Sequence, residues 1–135
     1  MKARTRILIA AGHRTGSTAV YNLTRTICAQ FGPVYGCFED QYDAEKGDWE
    51  LFQVVKAHKF NQKWVDWAEV IITVFREPQE VKKSMVRFGE LTGNYYDTED
   101  IWRGLSWLAH YNLHADYMIN FEQIERCPEK IGPRS

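Results

Sequence analysis

The chain has 135 residues, 44% of them hydrophobic, which suits one compact domain with one core, so residues 1–135 are expected to form a single unit with little room for a second. Its 17 basic and 18 acidic residues leave a formal net charge of -1, which argues against nucleic acid as a partner, because phosphate-backbone binding shows as a strong basic excess. Cys28, Cys37 and Cys127 are odd in number and lack CxxC spacing, and no segment has the length of a signal peptide or a membrane span; these features argue against disulfides, zinc and membrane, and point to the cytoplasm.

The charge is unevenly placed. Met1 to Phe38 contains basic residues and no acidic ones, and carboxylates begin at Glu39, so the first third suits an anionic small ligand. Within it, Ile7 to Ala11 reads as a buried parallel strand, since an apolar run of this length has no polar face to show to water. Gly12 and Gly16 then let the backbone turn tightly beside a ligand, and a helix start offers N–H groups and the positive end of its dipole. Arg14 adds a permanent charge, and Ser17 and Thr18 add hydroxyl donors. This is a phosphate site in outline. It is not a Walker A sequence, because the glycines are one residue too close and no lysine follows the second.

Val20, Leu23, Ile27 and Phe31 recur at helical spacing, which predicts a helix over 17–30 that Gly32 and Pro33 end. Val34 to Phe38 is the second strand, with Glu39 and Asp40 just past it. The polar segment Gln41 to Glu50 reads as an exposed loop and a candidate lid. Leu51 to Ala57 is the third strand, followed by His58, and Asn61 to Glu69 is helical. Val70 to Phe75 is the most strand-like run; it ends in Arg76, and Pro78 suits the first turn of a helix with Val81, Met85 and Phe88 on its buried stripe. Gly89 to Tyr96 reads as a loop, after which Asp97 can cap a long helix whose Ile101, Leu105, Leu108 and Asn112 share a face. Asp116 to Phe121 is the last strand candidate and Glu122 to Ile131 a closing helix.

Strands alternating with helices at this rhythm imply βαβ units, hence an α/β fold of three αβα layers around a mostly parallel sheet. In such sheets ligands lie outside the carboxyl ends of the strands. Those ends are where this chain keeps Arg14, Gly16 and Ser17, then Glu39, then Lys56 and His58, then Arg76.

These residues resemble the PAPS-dependent sulfotransferases. GHRTGSTAVYN is similar to that family's loop for the 5′-phosphosulfate. VFREPQEVKKSMVRF is similar to its 3′-phosphate motif, a strand ending in Arg followed by a helix carrying Ser eight residues later; Arg76 and Ser84 hold those positions. MINFEQIERCPEKI resembles the family's late strand and helix, so the resemblance spans nearly the whole chain. It implies a P-loop NTPase-like sulfotransferase core that takes PAPS (3′-phosphoadenylyl sulfate) as co-substrate, needs no metal, and delivers a sulfuryl group to a hydroxyl acceptor. Arg14, Thr15, Gly16, Ser17 and Thr18 are then expected at the 5′ end of the nucleotide, and Arg76 and Ser84 at its 3′-phosphate.

Sulfuryl transfer needs charge stabilisation on the departing phosphate and on the sulfuryl oxygens, and usually a base for the attacking hydroxyl. Arg14 is assigned the charge. It stands where many carbohydrate-sulfating members carry arginine, which leans the acceptor toward a sugar hydroxyl. Two bases are open. Lys56 and His58 in VVKAHKF resemble the Lys-Thr-His element of cytosolic members, whereas Glu39 resembles the acidic base that trehalose-type bacterial members place after their second strand. The family's glycine-rich RKGxxGDW-like loop has no late counterpart, which makes a homo-oligomer or a completing subunit a candidate partner. His110 and His114 are assigned to packing rather than to a metal, and Trp102, Trp107 and Tyr111 to core and interface. Trp49, Tyr95 and Tyr96 lie in loops as candidates for stacking on adenine or a sugar ring. A nucleotide-binding module without catalysis and a small P-loop kinase are the alternatives.

Overall fold

The strand following the basic N-terminal residues is β1 (Thr5–Ala10), and it takes the middle of a five-stranded sheet. The structure, a computed structural model of the chain, describes residues 5–12, 14–95, 97 and 99–122. β1 is flanked by β3 (Phe52–Ala57) and β4 (Val70–Phe75), with β2 (Val34–Phe38) and β5 (Tyr117–Asn120) outside them, giving the order β2-β3-β1-β4-β5 with every pairing parallel. The strands with continuous apolar runs occupy the centre because both of their faces are covered. Leu8, Ile9, Val54, Val55 and Val74 are fully buried, each worth roughly 1.5–3 kcal/mol relative to exposure.

Alternation along β1 sorts the two faces. Ile7, Ile9 and Ala11 pack with Val20, Tyr21 and Cys28 of α1 (Ser17–Ala29), while Leu8 and Ala10 pack with Trp64 of α3 (Gln62–Trp67) and Tyr111 of α5 (Glu99–Asn112). Helices on both sides of one parallel sheet are the expected three-layer α/β fold. Among the described residues no helix is long and apolar enough to cross a membrane.

Four local expectations change. Phe31 does not continue the apolar stripe of α1: the helix ends at Ala29, so its periodicity no longer directs the next side chains, and Phe31 is 68% exposed. The segment 41–50 is not a free lid. It contains a short helix, α2 (Ala44–Gly47), capped by Asp43, and it is anchored by Tyr42, whose ring meets Tyr35, Trp64 and Trp67 edge-on at 5.5–6.0 Å. The Tyr42 hydroxyl donates to Gln53 Oε1 at 2.8 Å and accepts from Trp67 Nε1 at 3.1 Å, which ties the segment to the amino half of β3, the end opposite the ligand edge.

The fourth helix, α4 (Pro78–Thr92), starts with its proline as expected but runs through Gly89 instead of breaking there. Gly89 serves packing: a Cβ at that position would lie 2.3 Å from the Tyr95 ring. The turn comes later, at Gly93, whose φ of 77° only glycine adopts at no cost. Asn112 leaves the apolar face of α5, where the buried positions are Gly104, Leu108 and Tyr111; its side-chain oxygen accepts the hydroxyl of Thr73. Asp97 caps α5 as expected, accepting from Glu99 N at 3.0 Å. The predicted closing helix falls almost wholly outside the described residues, which stop at Glu122.

Candidate active site

The loop from Gly12 to Ser17 leaves the carboxyl end of β1 and enters α1 through two left-handed residues, Arg14 at φ 57° and Gly16 at φ 89°. Left-handed residues alternating with ordinary ones turn successive backbone N–H groups toward one concave side, an arrangement that binds anions. The first turn of α1 carries no acidic residue and no side-chain cap, so its N–H groups and dipole remain available to a ligand.

An arginine in this conformation costs roughly 1–2 kcal/mol, and its surroundings hold it there. Arg14 Nε donates to Ser84 Oγ at 3.1 Å, the Arg14 carbonyl accepts from Arg76 Nη1 at 3.1 Å, and the guanidinium lies 5.1 Å from the Phe88 ring centre. The first glycine motif and the later Arg76–Ser84 motif, distant in sequence, are thus one hydrogen-bonded unit. Ser84 is not the helix-surface residue its polarity suggests, because it is buried against that unit. Arg76 makes no ion pair with Glu80, which pairs with Lys83 instead. Its guanidinium sits 4.2 Å from the Phe121 ring centre, and its Nε is buried without a hydrogen-bond partner.

Arg14, Gly16, Ser17, Thr18, Lys56, His58, Arg76 and Ser84, all named from the sequence, line one pocket of about 250 Å³ together with Phe121. Lys56 stands beside Ile9 in the β1–β3 register and donates to Thr18 Oγ1 at 2.8 Å, with its ammonium 4.3 Å from the Phe38 ring centre. A cation from the neighbouring strand therefore supplies charge to a glycine loop that has no lysine of its own. Burial pushes the Lys56 pKa down. The His58 pKa is also lowered, first by burial and then by the Lys56 charge, against the opposing hydrogen bond to Ala11. His58 Nδ1 donates to the Ala11 carbonyl, which leaves Nε2 of the neutral ring as the basic nitrogen.

Two predicted residues sit elsewhere. Thr15 is buried with its hydroxyl donating to the Gly12 carbonyl at 2.7 Å, so its side chain braces the loop and does not face the pocket. Glu39 lies in an adjoining recess, where one carboxylate oxygen accepts from the His58 backbone N–H. Phe121 was missed from the sequence. Its signal was the second glycine: a Cβ on Gly16 would lie 1.9 Å from the Phe121 ring, so the loop and the end of β5 fit only without one. A similar approach joins Gly12 to Gly104 of α5, where a Cβ on Gly104 would stand 3.3 Å from the Gly12 Cα. Trp49 and Tyr95, the stacking candidates that are described, are exposed and do not line the pocket. Among the described residues no group of His, Cys, Asp and Glu could hold a metal, and His110 packs on Phe60 at 5.1 Å.

No protein-family model matches the sequence, and a search of the curated proteins finds no match. Solved structures do match in fold. A shikimate kinase from Bacteroides thetaiotaomicron aligns at a TM-score of 0.57 and 13% identity over 94% of this chain and 92% of its own. A sulfotransferase from Alicyclobacillus acidocaldarius aligns at the same TM-score and identity over 96% of this chain and 78% of its own. At this identity the likeness is one of fold, a P-loop-like parallel α/β architecture.

Proposed function

We propose that this chain is a sulfotransferase that moves the sulfuryl group of PAPS to a hydroxyl acceptor. The observation that carries this reading is the charge of the pocket: Arg14, Lys56 and Arg76 converge on it with Ser84, and none of its described lining residues is acidic. A P-loop kinase, the reading that the shikimate kinase likeness raises, holds Mg²⁺ beside its phosphates with a strand-end acid. Here Arg76 directly follows the end of β4. Guanidinium groups hold phosphate oxygens two at a time and need no metal between.

PAPS supplies the activated sulfuryl group. The Gly12–Ser17 loop and the α1 N-terminus hold its 5′ end, and Arg76 with Ser84, both lining the pocket, holds its 3′-phosphate. Arg14 exchanges its Ser84 bond for the charge that develops on the transferring group. The acceptor oxygen forms a bond to sulfur as the bond from sulfur to the 5′-phosphate oxygen breaks. The acceptor proton passes to His58 Nε2, and the electron pair leaves on adenosine 3′,5′-bisphosphate. The bond that His58 donates to Ala11 favours His58 over Glu39 as the base, because it sets the tautomer that accepts at Nε2; Glu39 positions His58 through the backbone.

Calorimetric titration with adenosine 3′,5′-bisphosphate in the absence of metal tests the reading. Binding should be weakened about tenfold to a hundredfold by Arg76→Ala, the equivalent of one or two charge-assisted hydrogen bonds. No binding at millimolar nucleotide would overturn it.

A further inference from the structure

A second recess adjoins the nucleotide pocket across Lys56 and His58, which line both. Its volume is about 460 Å³, within the range of small-molecule sites. Phe38, Glu39 and Asp40 reach it from the end of β2, Lys59 from the segment after β3, and Trp107 from α5.

The two cavities differ in charge. The nucleotide pocket is cationic, whereas the recess sets the carboxylates of Glu39 and Asp40 against Lys56 and Lys59. A ligand with net charge of either sign meets a like charge there, so an uncharged ligand fits best. The recess also offers one apolar platform. Trp107 is half-buried, and among the described residues its ring and indole N–H meet no partner; Phe38, in contrast, is engaged by Tyr21 on one ring contact and by Lys56 on another. A flat phenol would want an apolar slot on both sides. One aromatic face beside two carboxylates and two ammonium groups suits a ring with an apolar C–H face and several hydroxyls.

Resting on the sulfotransferase reading of the nucleotide pocket, we propose that this recess binds the acceptor and that the acceptor is a neutral saccharide or glycoside. Its ring lies on Trp107, its hydroxyls donate to Glu39 and Asp40, and one hydroxyl reaches the Lys56–His58 boundary. There the oxygen bonds to sulfur, its proton goes to His58, and adenosine 3′,5′-bisphosphate departs. Trp107, which the sequence assigns to core and interface, becomes a specificity residue.

The test uses the full chain saturated with adenosine 3′,5′-bisphosphate, titrated with methyl glucoside, maltose and 4-nitrophenol, and read by calorimetry and tryptophan fluorescence. Saccharide should bind in the millimolar range. Trp107→Ala should weaken it about tenfold and Trp107→Phe far less, with nucleotide affinity unchanged in both. Asp40 is exposed, so Asp40→Asn preserves folding and should weaken saccharide a few-fold. Nucleotide binding without saccharide binding at about 100 mM, saccharide binding indifferent to Trp107 and Asp40, or a preference for the phenol overturns the acceptor assignment alone. Absence of nucleotide binding overturns the sulfotransferase reading and the acceptor assignment with it.

Discussion

Substituting Gly16 by alanine perturbs the loop at the point where it meets the end of β5. Two costs can be separated. The backbone cost follows from the φ of 89°, where an L side chain loses roughly 1–2 kcal/mol. The packing cost follows from a Cβ placed 1.9 Å from the Phe121 ring. The ring must swing away from Arg76, forfeiting a cation–π contact worth roughly 0.5–1 kcal/mol. Gly16→Ala should therefore destabilise by about 1.5–3 kcal/mol in urea unfolding, and Phe121→Ala removes only the second component from it. In the double variant the two changes should fall short of additivity by about 0.5–1 kcal/mol, because the ring that clashes is already gone. Nucleotide affinity should fall in each single variant, since Arg76 loses the surface that orients it. Strict additivity, or a Gly16→Ala variant as stable as the parent, would refute the loop–strand contact as the reason for the glycine.

Other consequences are independent of that contact. Tyr42→Phe leaves the buried Gln53 Oε1 and the Trp67 indole without their partner, so thermal or urea unfolding should show a loss of about 1–3 kcal/mol. Nucleotide affinity should not change, because Tyr42 anchors the amino half of β3; a change would revive the segment 41–50 as a lid. Gly104→Ala sets a methyl 3.3 Å from the Gly12 Cα, and as neither backbone yields easily, it should cost about 1–3 kcal/mol and also weaken nucleotide binding. For His58 the folded pKa lies below its ordinary 6.5, so the imidazole is neutral at pH 7, and under the proposed mechanism kcat/KM should fall as pH drops through the lowered value. The same depression means that protonation favours the unfolded chain. Its contribution to stability is complete above the ordinary value and is lost as pH falls through the folded one. His58→Gln should abolish the acidic limb and flatten the stability profile; an acidic limb unchanged in that variant would shift the base to Glu39.

Periodicity and composition were sufficient for the architecture. The apolar runs Ile7–Ala11 and Val70–Phe75 could only be buried strands, and the helices between them could only cover a parallel sheet. The polar residues that follow the strands fall together at the carboxyl edge of the sheet for a related reason, since the ends of parallel strands share one edge. Side-chain pairing at long range was a different matter. That Arg14 bonds Ser84, that Lys56 reaches Thr18, and that Glu39 binds the His58 backbone depend on which strands are neighbours, and the order β2-β3-β1-β4-β5 is not written in local pattern.

Where local polarity was a poor guide, distant chain supplied the environment. Ser84 is polar on a helix, which by itself suggests water, but Arg14 arrives from 70 residues away to bury and bond it, and only its spacing from Arg76 in the sequence pointed to the pocket. Thr15 sits in the glycine loop, yet its hydroxyl turns inward once Gly12 offers a carbonyl. The polar segment 41–50 lost its freedom to a single tyrosine caught among aromatic rings from β2 and α3. Local sequence by itself determined the elements and the edge at which a ligand can bind, because backbone geometry and burial act within a few residues. Only the tertiary structure decided which charges share the cationic pocket, which glycines make room for Phe121 and α5, and that Trp107 faces a recess, because those are properties of surfaces that meet only after the chain has folded.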